Sequence, residues 1–68
     1  MRERLDQLVA EMVDKGIHFE DAQREFEKRF ITNVVQKSQG NLCRAADTLG
    51  VHRNTLTRKI KDLKIRPR

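Results

Sequence analysis

A chain of 68 residues with a net charge of +5 is one domain, near the size at which a lone core gives only marginal stability. Its single cysteine excludes a disulfide staple, and Cys43, His18 and His52 lack the spacing of a zinc site. No apolar run approaches the roughly 18 residues of a membrane span and no signal-peptide pattern is present, so a reducing, cytoplasmic setting is expected, with no cofactor, metal or small-molecule substrate.

With no Trp or Tyr and few β-branched runs, strands have little to build on, and an all-α protein of four helices is predicted. Leu5, Leu8, Val9, Met12 and Val13 recur at helical spacing and predict an amphipathic helix over 1–15. Gly16 is its expected cap and Ile17 the apolar residue behind it. A second helix is predicted over 19–39, opened by the acidic Glu20 and Asp21. Its first half carries one stripe, Phe19, Ala22, Phe26 and Phe30. From Phe30 on, Ile31, Val34 and Val35 widen the apolar arc, so this helix needs cover on more than one side.

Each large apolar side chain buried is worth about 1.5–3 kcal/mol. A monomer that left Leu5, Leu8, Met12, Phe26 and Phe30 in water would therefore forfeit much of a small margin. The expectation is a two-fold homodimer built by residues 1–39 with those five side chains in its interface. The alternative is a monomeric four-helix domain in which the first two helices fold back on the last two.

Residues 40–63 predict two short helices joined by a tight turn. Asn41 is a good N-cap, and Leu42, Ala45, Ala46 and Leu49 make one stripe. Gly50 is expected to end this helix in a left-handed conformation, with Val51 tucked against it. From Arg53 the last helix carries Leu56, Ile60 and Leu63 on the side facing Ala45, Ala46 and Leu49. Helix, glycine turn, helix is the helix-turn-helix signature. The outer face of the last helix holds Asn54, Arg58 and Lys61, flanked by Thr55, Thr57 and Lys59, with Arg53 at the tip. Arginine can pair with guanine and asparagine with adenine at base edges, while threonines and lysines suit phosphates. A tail, 64–68, adds Lys64, Arg66 and Arg68 around Pro67, which bars helical continuation; it is expected to fray, and either to attract phosphates non-specifically or to have no role.

Charge divides along the same line. Residues 1–39 hold 7 Lys/Arg and 8 Asp/Glu, whereas 40–68 hold 8 Lys/Arg and 2 Asp/Glu. A nearly neutral half joined to a strongly basic one carries the electrostatic footprint of a nucleic-acid binder, and double-stranded DNA is the expected partner. The competing reading is a protein-interaction module whose basic helix docks an acidic partner or an anionic membrane surface. RNA is disfavoured because the basic half has no stacking aromatics. An enzyme is not expected: the only thiol–imidazole combination, Cys43 with His52, falls on different predicted helices, and no glycine-rich phosphate loop is present.

The stretch FEDAQREFEKRFITNVVQKSQGNLCRAADTLGVHRNTLTRKIKDLKI resembles the Fis-type helix-turn-helix family, most specifically from Gly40 to Lys61. That family takes in the factor for inversion stimulation and the C-terminal DNA-binding domains of NtrC-like activators. The resemblance implies intertwined first helices in a dimer, and two recognition helices set closer than one turn of B-DNA, so that binding bends the duplex. It implies a base-reading role for Arg53. It gives His52, Thr55 and Arg58 to phosphates or flanking bases, and Lys59 and Lys61 to backbone attraction. Asn41 and Arg44 would clamp the strand from outside. Transcription regulation or nucleoid bending follows from it. Cys43 stands where a hydroxyl residue often meets phosphate, and Lys64 where a glycine often follows the last helix. These 68 residues hold no ATPase or receiver segment, so ATP hydrolysis and phosphate reception are not expected of them. Nor do they hold the mobile arm that inversion-stimulating members use on recombinases, so recombinase activation is not expected.

Overall fold

A computed structural model describes residues 2–66 as four helices with no strand among them, as expected. They are α1 (Arg2–Asp14), α2 (Phe19–Lys37), α3 (Leu42–Leu49) and α4 (Arg53–Leu63). Calls on Met1, Pro67 and Arg68 lie outside the described residues.

The core is made where α2, α3 and α4 meet pairwise. Ile31 and Val35 of α2, Ala45 and Ala46 of α3, and Leu56 and Leu63 of α4 are buried together, with Val34, Leu42, Leu49 and Ile60 packed around them. The two alanines present little bulk, so their helix can lie close against its neighbours. Ile65 joins this core at 7% exposure. It was expected in a frayed tail; instead the chain turns back after α4 and tucks this side chain under the bundle.

That turn is one of four alike. A left-handed residue follows each helix: Gly16 (φ 76°), Gln39 (φ 56°), Gly50 (φ 74°) and Lys64 (φ 57°). At each, the residue behind it donates its amide five residues back: Ile17 to Met12, Gly40 to Val35, Val51 to Ala46 and Ile65 to Ile60, at 3.0–3.1 Å. These Schellman turns satisfy carbonyls that the helix ends would otherwise orphan. Gly16 and Gly50 meet the expectation. With Gln39 left-handed, α2 stops at Lys37, two residues short of the expected end at 39, and Lys64 takes the left-handed cap despite its side chain. Val51, expected to tuck against the Gly50 cap, stays exposed.

α1 contributes no buried residue. Leu5, Leu8, Val9 and Val13 are between 48% and 68% exposed, and Met12 alone is half-buried. Of the two helices that the monomeric alternative folds back, α2 packs on α3 and α4, while no residue of α1 is buried. On α2, the rings of Phe26 and Phe30 lie 5.4 Å apart between centroids, tilted by 40°, on a surface that is likewise open.

Candidate nucleic-acid interface

The candidate interface comprises two helix starts and one outer face. At the first start, Asn41 is extended (φ −78°, ψ 103°) and its Oδ1 accepts the Arg44 amide at 3.1 Å. This is the expected N-cap, and it leaves the Asn41 amide nitrogen to donate elsewhere. Arg44 is exposed beside it. At the second start, His52 is extended and its Nδ1 accepts the Asn54 amide at 3.0 Å. An accepting Nδ1 carries no proton, so the neutral ring holds its hydrogen on Nε2, where it can donate outward. The capping role of His52 was not legible in the sequence, because histidine is not among the common caps.

Arg53, Asn54, Thr57, Arg58 and Lys61 are exposed along α4, as its wheel requires when Leu56 and Leu63 are buried. The Thr57 hydroxyl donates to the Arg53 carbonyl at 3.0 Å, and Thr48 does the same to Arg44 on α3 at 3.1 Å. Thr55 is half-buried on the flank. Lys59 differs from its neighbours. It stands three residues after Leu56 and four before Leu63, so it shares the packed side of the helix and pairs with Glu27 of α2 at 2.5 Å. Among the described residues the ion pairs are this one and Arg29–Glu25, so Arg44, Arg53, Arg58 and Lys61 have no acidic partner. Four uncommitted cations on one rigid reader make a field that attracts phosphates. Cys43 is exposed as a free thiol on α3, and no three His, Cys, Asp or Glu side chains converge among the described residues.

The model of the family described as "Bacterial regulatory protein, Fis family" matches residues 22–63. The chain belongs to the Fis family. The match takes in all of α3 and α4 and most of α2, the three helices that share the core, and leaves α1 out. Among curated relatives of this Fis-family chain, the DNA-binding transcriptional regulator NtrC of Escherichia coli K12 is 37% identical over 62 residues, covering 82% of this chain and 13% of the relative. The regulator of the same name from Bradyrhizobium sp. (strain RP501 Parasponia) is 48% identical over 42 residues, 62% of this chain and 9% of its own length. That of Klebsiella pneumoniae is 46% identical over 43 residues, with coverages of 63% and 9%. The chain thus spans a small fraction of the curated relatives it matches. No solved structure matches it.

Proposed function

We propose that this Fis-family chain binds double-stranded DNA as a homodimer, laying α4 in the major groove to regulate transcription or bend the duplex in the bacterial nucleoid. The observation that carries the reading is the outer face of α4, where Arg53, Asn54, Arg58 and Lys61 stand exposed on a helix fixed from behind by Leu56 and Leu63. Arg53, in the first turn, reads a base edge; Asn54 reaches bases beside it. His52 Nε2, Thr55, Thr57, Arg58 and Lys61 engage phosphates, and Asn41 and Arg44 clamp the strand from the start of α3. The names of the relatives, all DNA-binding regulators, support the same partner.

The dimer reading rests on the apolar surface of α1 and of the face of α2 that carries Phe26 and Phe30. Leu5, Leu8, Met12, Phe26 and Phe30 have no cover within one chain that buries them, and a second copy supplies it at about 1.5–3 kcal/mol per large side chain. Residues 1–39 join the copies and 40–63 read the duplex, with α2 serving both.

Footprinting on duplexes selected from a random pool tests the proposal. Protection of a two-fold site is expected, with affinity falling about 10³–10⁵-fold between 50 and 200 mM salt if 6–10 phosphates are contacted. Arg53→Ala is expected to cost about 1–3 kcal/mol at the best site and to flatten sequence preference. An Arg53→Ala chain that binds its best site as tightly as the parent sinks the base-reading role, and a chain that ignores duplex DNA sinks the whole reading.

A further inference from the structure

Two polar contacts join α2 to α4 outside the core. Lys59 Nζ donates to Glu27 Oε1 at 2.5 Å, and the Arg24 guanidinium donates to the Asp62 carbonyl oxygen at 2.9 Å. Among the described residues no other side-chain hydrogen bond links two helices. Both contacts follow from helical spacing. Arg24 and Glu27 lie on one line of α2 that continues to the buried Ile31, and Lys59 lies on the line of α4 that continues to Leu63. The Schellman turn after α4 uses the Ile60 and Lys61 carbonyls, which leaves that of Asp62 for a donor from elsewhere. A guanidinium there also suits the negative end of the helix.

Apolar packing is non-directional, whereas hydrogen bonds hold an angle. The core sets α4 against α2, and the two polar contacts, one turn apart, add directional ties between the same two helices. α2 also carries Phe26 and Phe30 on its open side. Whatever sets α4 on α2 thus sets how far apart two copies hold their reading helices.

We infer that Arg24, Glu27 and Lys59 are positioning residues that set the half-site spacing this protein selects, and that Lys59 is held in this seam instead of on phosphate. The inference rests on the DNA-binding dimer proposed above. The full chain is titrated against its selected duplex and against versions with one base pair added or removed between half-sites. The parent discriminates among them. Glu27→Gln and Lys59→Gln each lower that discrimination by about two- to fivefold, the range open to a partly exposed pair, with the salt dependence unchanged. The double variant loses no more than either single one, because both remove one interaction. Arg24→Gln, at an exposed position, acts in the same direction, and thermal melts verify that each variant is folded. Unaltered discrimination in folded variants overturns the inference and leaves DNA binding standing. So does a Lys59→Gln chain with a shallower salt slope beside a Glu27→Gln chain that binds every spacing more tightly, since Lys59 is then a phosphate contact. A parent that binds DNA but is blind to spacing overturns the dimer together with this inference.

Discussion

Two faces of α2 share one helix and live in different surroundings. Phe19, Phe26 and Phe30, on one face, are 80%, 58% and 51% exposed; Ile31 and Val35, about a third of a turn or more away on another, are 5% and 0%. Residue type does not explain this, since phenylalanine is as apolar as valine. The difference is what the rest of the chain supplies. Over the face of Ile31 and Val35, α3 and α4 bring Ala45, Ala46, Leu56 and Leu63, and the core closes. The phenylalanine face stays open, and no residue of α1 is buried either. An apolar stripe becomes a core only where another element completes it, and in a chain this short one face goes without.

The largest expected effect that tests this contrast is in the core over the closed face. Leu56 is fully buried, and Leu56→Ala is expected to cost about 2–5 kcal/mol in chemical denaturation, at any protein concentration. At the open face, Phe30→Ala is expected to cost about 1.5–3 kcal/mol per subunit, and only as dimer dissociation in sedimentation equilibrium. A folded reader should persist in the dissociated chain, seen as retained helical circular dichroism. If Phe30→Ala leaves the association state untouched, the open surface is not the interface. Asn41→Ala removes the cap at the start of α3 and is expected to cost about 1 kcal/mol in the same denaturation assay. The smallest change should be a gain. Lys64 holds a left-handed conformation that costs an ordinary residue about 1–2 kcal/mol, while glycine is freer in the unfolded chain, so Lys64→Gly is expected to stabilise by about 0.5 kcal/mol.

Local features of the fold were legible in the sequence because local rules decide them. The glycines at 16 and 50 marked two helix ends, Asn41 marked a start, and the spacing of Leu56, Ile60 and Leu63 marked the side of α4 that packs. What escaped were matters settled between distant residues. The segment with Ile65 reads as a frayed tail because nothing local shows that a Schellman turn at a lysine folds this side chain under the core. Glu27 and Lys59 are 32 residues apart, and each alone reads as a solvated charge. The exposed, basic character of α4 was readable from its wheel, but the capping work of His52 and the diversion of Lys59 to α2 emerged only once the helices were set against one another.

The threonines of the reader carry a consequence for where its grip originates. Thr57 has one hydroxyl proton, and the Arg53 carbonyl already holds it. A nucleic-acid phosphate at neutral pH offers lone pairs and no proton in return, so in the proposed complex the hydroxyl must swap one acceptor for another. Such an exchange yields only the margin between a neutral and an anionic acceptor. Thr48 is in the same position over Arg44. Tight binding by this surface must therefore come from its unpaired guanidinium and ammonium groups, with the hydroxyls serving to align the strand.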